Sequence, residues 1–366
     1  MNKRKILFIT GTRADYGKLK PLMQSVEEHD DFDLHVFVTG MHMHKLYGNT
    51  YLEVFKDGYE NIFRYFNSSI EEGMDQTLAR TIQGVSDYVQ EIPVDLIVIH
   101  GDRVEALAGA IVGSLNNILV AHIEGGELSG TIDELIRHSV SKMSHTHFVA
   151  NEEAEQRLIQ LGELPSSIYK IGSPDIDVMF SDKLPSIEKV KSRYDIFFDE
   201  YGVVLFHPVT TEVDDISRQA DNLVGALKKS SKNYVIIYPN NDTGSHFILD
   251  AYEDLEKSDG YKLLPSMRFE YFLSLLKNAS ICIGNSSAGI REAPCYGIPT
   301  VNIGSRQENR TSNSSIIHTD YTVENILSGI NSALDLKNIP ESKEFGDGKS
   351  SIRFLNILES DEFWDT

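Results

Sequence analysis

The sequence predicts an α/β protein made of two successive strand–helix halves. Three observations carry that expectation. Short apolar, β-branched runs alternate with amphipathic helical stretches along the chain. Two of these runs, Leu96–Ile99 and Ile118–Ile123, pass directly into acidic, Gly-containing loops. Open parallel α/β sheets bind their ligands outside such strand ends. Finally, the pattern restarts at Val203 after a polar stretch, and 366 residues suit two domains better than one core.

In chain order, Lys5–Thr10 is strand one, by its β-branched and aromatic run. Gly11-Thr12-Arg13-Ala14-Asp15-Tyr16-Gly17 follows, then a helix from about Lys18 to Glu28. The Gly turn exposes backbone N–H groups to an anion, and Arg13 and Lys18 add positive charge. A plain strand–helix turn with two solvated cations is the alternative. The turn lacks the G-x-G-x-x-G pattern of dinucleotide sites.

Leu34–Thr39 is strand two, ending in Gly40-Met41-His42-Met43-His44. No Cys or carboxylate accompanies His42 and His44 at ligand spacing, so a pocket-lining loop fits better than zinc, and no metal is expected. The stretch Tyr51–Asn67 is mixed, and Asp75–Gln90 is an amphipathic helix. An Ala/Gly-rich helix joins the two central strands, with small residues that permit close packing on the sheet. The loop after the first central strand carries Asp102 and Arg103; the loop after the second carries Glu124 and Glu127 beside Gly125-Gly126. Thr131 to Lys142 is a helix with a capping-box start, Thr131 and Glu134. It sets Asp133 and Arg137 four apart on one face, a surface salt bridge or part of the site. Thr146–Ala150, Glu152–Leu161 and Ser167–Ile171 are strand, helix and strand, and Gly172-Ser173-Pro174 ends the first half. Carboxylates with arginines among them at strand ends suggest proton transfer on an anionic substrate.

Asp175–Tyr201 is polar and helix-like, and serves as the connection. Val203–Phe206 is a strand into His207-Pro208-Val209-Thr210-Thr211, followed by a helix over about Asp214–Lys229. Tyr234–Tyr238 is a strand into Pro239-Asn240-Asn241-Asp242, then come a helix, the strand Tyr261–Leu264 and the helix Phe269–Asn278. Ile281–Ile283 runs into Gly284-Asn285-Ser286-Ser287, and a helix opens at Ala288. Ser286 and Ser287 stand where an N-cap belongs, and free N–H groups with the macrodipole favour phosphate there. An ordinary cap is the alternative. Glu292, one turn on, is placed to accept hydrogen bonds from ribose hydroxyls. Arg306, Gln307 and Arg310, after the strand Thr300–Ile303, tip the balance towards a diphosphate. A helix over Thr322–Leu334 and a last helix, Ser350–Leu358, close the chain.

A formal net charge of −21 argues against nucleic acid and anionic membranes as partners. Cys282 and Cys295 form neither a disulfide framework nor a C-x-x-C pair. The apolar run Ile6–Ile9 is too short for a signal peptide and no window approaches a membrane span, so a cytoplasmic location is expected. Together the halves suggest two Rossmann-like domains facing across a cleft. Residues 1–175 form the first domain, 176–345 the second, and 346–366 a helix returning to the first.

The motifs G-T-R-A-D-Y-G-K, T-G-M-H, H-G-D-R, H-I-E-G-G-E-L-S-G-T-I-D-E-L-I-R-H, H-P-V-T-T and G-N-S-S-A-G-I-R-E occur in order from Lys5 to about Arg310. This set closely resembles the hydrolysing UDP-N-acetylglucosamine 2-epimerases, whose architecture is GT-B-like. The resemblance implies conversion of UDP-N-acetylglucosamine and water to N-acetylmannosamine and UDP, feeding synthesis of sialic-acid-like sugars. The family proceeds by elimination of UDP to a 2-acetamidoglucal, then hydration with reprotonation on the other face. Carried over by motif, Asp102, Glu124 and Asp133 are the acid/base carboxylates. Arg13, Ser286, Ser287, Glu292 and Arg306 are implied as nucleotide and diphosphate ligands, His207 and Arg103 as phosphate or sugar contacts, and Asn240 as a cleft contact. Lys18 and Arg137 join the binding set. The reaction needs no redox cofactor. The family implies a homodimer or dimer of dimers acting on a UDP-sugar. Relatives acting on UDP- or GDP-linked 2,4-diacetamido-2,4,6-trideoxyglucose, of the legionaminic acid pathway, share these motifs. A GT-B glycosyltransferase would share the diphosphate site but has no need of three carboxylates, and a non-catalytic sensor has no use for them either.

Overall fold

Seven short strands make the first sheet: β1 (Arg4–Thr10), β2 (Phe32–Val38), β3 (Asn61–Arg64), β4 (Leu96–His100), β5 (Leu119–Ile123), β6 (Thr146–Val149) and β7 (Ile168–Lys170). All pair in parallel, in the order β3-β2-β1-β4-β5-β6-β7. The helices are α1 (Arg13–Glu27), α2 (Tyr51–Lys56), α3 (Met74–Glu91), α4 (Val104–Leu115), α5 (Ile132–Lys142), α6 (Glu152–Gln160) and α7 (Pro174–Met179). The computed structural model describes residues 3–45, 48–67, 73–128, 132–239, 244–256, 258–307 and 313–365.

Strands covered on both faces need apolar residues at successive positions, and β1 supplies them. Ile6 and Phe8 enter one core with Leu19, Leu22 and Val98, whereas Leu7 and Ile9 enter the other with Ile97, Ile99 and Val120. Helix α4 lies very close to the sheet: a Cβ on Gly113 would come within 2.3 Å of Val120 Cγ2. The small residues noted in the sequence permit that approach.

The connecting stretch holds two short helices, α7 and α8 (Ile187–Tyr194). The second sheet holds β8 (Gly202–Leu205), β9 (Tyr234–Ile237), β10 (Tyr261–Leu264), β11 (Ile281–Gly284), β12 (Thr300–Ile303) and β13 (Ile316–Thr319). It is also parallel, in the order β10-β9-β8-β11-β12-β13. Its helices are α9 (Ile216–Ser230), α10 (Ser245–Tyr252), α11 (Phe269–Lys277), α12 (Glu292–Cys295) and α13 (Val323–Asp335). The chain ends in α14 (Ser350–Leu358) and α15 (Asp361–Trp364). These belong to the first core: Phe354 lies 6.4 Å from Phe8 and 4.9 Å from Phe148 between ring centroids. The chain thus divides into Met1–Phe180 with Glu344–Thr366, and Ser181–Lys343.

Several elements differ from the sequence expectation. Helix α1 starts at Arg13, not Lys18, because Thr12 and Asp15 form a capping box at its start. The helix expected from Ala288 is a single 3-10 turn, Ser287–Gly289, followed by the four-residue α12, which contains Pro294. A helix that short has little macrodipole to offer a phosphate. Strand β13 was not anticipated; four residues, I-I-H-T, give too short a run to stand out from their polar flanks. Among the described residues no helix is long and apolar enough to cross a membrane.

Candidate active site

In the first sheet the strand order reverses between β1 and β4. Loops leaving these strands diverge, which opens the crevice where such sheets bind ligands. Helix α1, after β1, carries Lys18; the turn after β4 carries Asp102; Glu124 directly follows β5.

Glu124 is the most unusual residue of this group. Its φ is +63°, in the left-handed region, where a non-glycine residue is strained by roughly 1–2 kcal/mol. The surroundings enforce it. Its N–H donates to Phe148 O at 2.9 Å, and its carbonyl accepts from Arg137 Nη1 at 3.0 Å. Gly126 follows at φ +76°, pressed so near α6 that a Cβ would sit 2.3 Å from Ala154 O. The effect is to bury the Glu124 carboxylate, leaving the side chain 4% exposed. Lys18 Nζ donates to Oε2 at 3.2 Å, His100 Nε2 stands 3.1 Å from the same oxygen, and Ser173 Oγ donates to Oε1. Lys18 is also 3.8 Å from the buried Asp175. In these contacts it is the carbonyl of Glu124, not the carboxylate, that meets Arg137.

Arg137 was expected among the substrate contacts, but its guanidinium is turned inward, 7% exposed. Nη2 donates to Asp102 Oδ2, Nη1 to the Glu124 carbonyl, and Nη1 lies 3.8 Å from Glu127 Oε2. One planar fork therefore ties together the loops after β4 and β5. Asp102 remains a quarter exposed, so its carboxylate still reaches solvent. Asp133 lies on the exposed face of α5, and Thr131, its expected cap, is outside the described residues. Arg103 sits at the start of α4, half-exposed, with Nε donating to the buried Glu105 at 3.2 Å. Behind these groups, fully buried His122 bonds Gly101 O at 2.8 Å and Ser141 Oγ at 3.1 Å. Burial pushes its pKa down to about 3, so it is neutral at pH 7 and braces the Asp102 turn against α5.

The turn after β1 behaves differently from expectation. The Gly11 and Thr12 N–H groups do not wait for an outside anion; they donate to the Asp15 carboxylate at 3.0 and 3.1 Å. Asp15 Oδ1 also accepts from Thr10 Oγ1 at 2.5 Å. Arg13 makes a forked pair with Glu53, at 3.0 and 2.8 Å. His42 bridges Thr10 Oγ1 at 3.0 Å and Thr50 Oγ1 at 2.6 Å, and burial lowers its pKa. His44 packs its ring on Phe66, centroids 5.3 Å apart. The two histidines thus have separate packing roles, and among the described residues no group of three His, Cys, Asp or Glu is placed to hold a metal.

In the second unit the order reverses between β8 and β11. Asn285, fully buried, locks the two loops there: its Oδ1 accepts from His207 N at 2.7 Å, and its Nδ2 donates to His207 O at 2.9 Å. Its own carbonyl accepts from Arg306 Nη1 and Gln307 Nε2, both at 3.1 Å. Gly284 before it has no room for a side chain, since a Cβ would sit 1.9 Å from Leu205 O. His207, Arg306, Ser286 and Ser287 are therefore brought together around one strand end. Ser286 caps the 3-10 turn through Ala288 N at 3.3 Å, and both serines are partly exposed. Glu292 is buried within α12. Glu212 accepts from Ser305, Tyr321 and Gln219 at 2.5, 2.8 and 2.8 Å; burial works against its charge, but these donors hold its pKa below the usual range. Asn240 and Arg310 lie outside the described residues.

Sequence reasoning had passed over His100, Ser173, Asn285 and Glu212. His100 and Asn285 stood inside quoted motifs without a role. Ser173 comes from 49 positions beyond Glu124, and nothing local marks it.

Two parallel sheets, each with helices between its strands and a switch point in its strand order, define an α/β protein of GT-B-like fold class. A family model described as UDP-N-acetylglucosamine 2-epimerase matches residues 24–359. The chain is 50% identical, over 364 residues, to a UDP-N-acetylglucosamine 2-epimerase of Neisseria meningitidis serogroup B, covering 99% of this chain and 96% of that one. It is 35% identical, over 362 residues, to a hydrolysing UDP-N,N'-diacetylbacillosamine 2-epimerase of Legionella pneumophila, covering 98% and 96%. A crystal structure of UDP-GlcNAc 2-epimerase from Neisseria meningitidis, bound to UDP-GlcNAc, matches with a TM-score of 0.83 over 97% of this chain and 99% of that one. At 18% identity that match speaks for the fold alone. The chain belongs to the UDP-N-acetylglucosamine 2-epimerase family.

Proposed function

We propose that this chain is the hydrolysing type of 2-epimerase, converting UDP-N-acetylglucosamine and water to N-acetylmannosamine and UDP. The observation that carries the proposal is the buried Glu124 carboxylate, held in a left-handed turn one strand from the first switch point, with Asp102 in the neighbouring loop. A strained backbone at a buried acid is a mark of function rather than of stability.

In the proposed sequence a carboxylate removes the proton on carbon 2. The bond from carbon 1 to the diphosphate breaks, its electron pair leaves with UDP, and a carbon 1–carbon 2 double bond forms. Water then adds to carbon 1 while an acid returns a proton to carbon 2 on the opposite face. Asp102, Glu124 and Asp133 share these proton transfers. Arg103 and His207 contact the phosphates or sugar, and the elimination requires no redox step. Arg13, Ser286, Ser287, Glu292 and Arg306 hold the nucleotide, with Asn240 as a further contact. Because α12 is short, the donors at this site are side chains and individual N–H groups rather than a helix dipole.

Ser287→Ala combined with Arg306→Ala should weaken UDP binding by a few kcal/mol, since hydrogen bonds to charged groups contribute roughly 1.5–3 kcal/mol each. Unchanged affinity by calorimetry would remove this site.

A second reading has a specific basis in the Legionella relative, named for a diacetamido sugar. The sugar is then 2,4-diacetamido-2,4,6-trideoxyglucose, linked to UDP or GDP, and the chemistry at carbons 1 and 2 is unaltered. The higher identity to the N-acetylglucosamine enzyme favours the first reading. Turnover of the two sugar nucleotides side by side, without acceptor, decides between them: a preference for the diacetamido sugar would replace the substrate and keep the mechanism.

A further inference from the structure

His100 has no role in the account so far. It is the last residue of β4, and the sheet register sets it opposite Ile123, the residue before Glu124. The ladder between β4 and β5 thereby fixes the His100 backbone relative to the Glu124 turn. The His100 side chain is 10% exposed; its buried Nε2 stands 3.1 Å from Glu124 Oε2 but makes no aligned hydrogen bond in this structure.

Four elements surround Glu124. Lys18 on α1 and His100 on β4 face Oε2, Ser173 before α7 donates to Oε1, and Arg137 on α5 holds the carbonyl. Asp175 lies behind Lys18, at 3.8 Å. Ser173 and Arg137 fix where the group sits. Lys18, 20% exposed, carries its ammonium on a flexible stem and shares it between Glu124 and the buried Asp175, so it fixes the carboxylate less firmly. An imidazole carried at a strand end is a more rigid neighbour, within donor distance of Oε2.

We infer that His100 is a positioning residue for Glu124: its buried Nε2, 3.1 Å from Oε2, donates to the carboxylate in the substrate complex and directs it at the substrate. The inference rests on the proposed acid/base role of Glu124. Donors to a carboxylate favour its charged form, so removal of His100 lets Glu124 take up a proton at higher pH. A base that must be ionised then fails earlier as the solution is acidified.

The test compares wild type, His100→Ala and His100→Gln on UDP-N-acetylglucosamine across pH. The glutamine amide can place an N–H close to where imidazole Nε2 stands. His100→Ala should lower kcat by roughly 10²-fold, the low end of a general acid–base contribution. The acid limb of its kcat/KM profile should move to higher pH, with UDP affinity by calorimetry unchanged. His100→Gln should recover part of the rate and return the limb towards wild type. A merely structural histidine would lower stability without moving the limb. If the alanine variant does not fold, His100→Asn, whose shorter amide cannot reach, replaces it in the same comparison. Wild-type turnover with an unmoved limb and unchanged kcat in the folded variant overturns the role of His100 alone. Absence of wild-type turnover overturns the epimerase reading and this inference together.

Discussion

Glu124→Gln is expected to lower turnover of UDP-N-acetylglucosamine by roughly 10²–10⁴-fold, the usual size of a general acid–base contribution. Glutamine preserves the shape of the side chain and can still accept from Ser173 or Lys18, but it cannot carry the proton. UDP affinity should change little, because the proposed nucleotide ligands Ser286, Ser287 and Arg306 stand at the end of the other sheet. If the lost step is hydration, the glucal intermediate should accumulate and be visible by mass spectrometry. Turnover within a few-fold of wild type would make Glu124 a structural residue and leave the proton transfers to Asp102 and Asp133.

Arg137→Leu should damage both stability and rate. The side chain is buried, and its two Nη atoms reach Asp102 and the Glu124 carbonyl. Breaking a fully buried ion pair costs roughly 3–5 kcal/mol; with Asp102 a quarter exposed, about 2–3 kcal/mol is the better expectation. The left-handed turn at Glu124 also loses a partner that holds it in place. A displacement near 1 Å of a reacting group lowers rates by roughly 10²-fold, and kcat should fall by at least that order. Arg137→Lys should not restore it, because a single ammonium cannot span two acceptors from separate loops as a planar fork does. Urea denaturation and steady-state kinetics measure the two effects. A lysine variant with wild-type kcat and stability would show that charge alone suffices there.

How much of this was legible beforehand depends on the range of the interaction that decides each feature. Buried strands announce themselves through local apolar runs, so β1, β4 and β5 and the loops holding Asp102 and Glu124 could be located from sequence. The small residues of α4 likewise predicted its close approach to the sheet. Boundaries set by one side-chain bond were harder: the Thr12–Asp15 capping box lies in a stretch with Gly at both ends, which reads as loop, and α1 begins there nonetheless. The helix expected at Ala288 was misjudged because a Ser-Ser cap opens a 3-10 turn as readily as an α-helix. The environment of Glu124 was invisible for another reason. Its left-handed φ is imposed by Phe148, Arg137 and the packing of Gly126 on α6, and its polar neighbours come from α1, β4 and the turn before α7. None of these contacts follows from spacing. The Asp15 carboxylate, which fills the N–H groups expected to bind an outside anion, was hidden in the same way.

The most direct test of the proposed chemistry is the reaction of the wild-type protein with UDP-N-acetylglucosamine in deuterated water, without acceptor, with the sugar products examined by mass spectrometry and NMR. Elimination followed by hydration predicts free UDP and free N-acetylmannosamine carrying one deuterium at carbon 2. UDP-N-acetylmannosamine as the sole product, or free sugar with hydrogen retained at carbon 2, would contradict it.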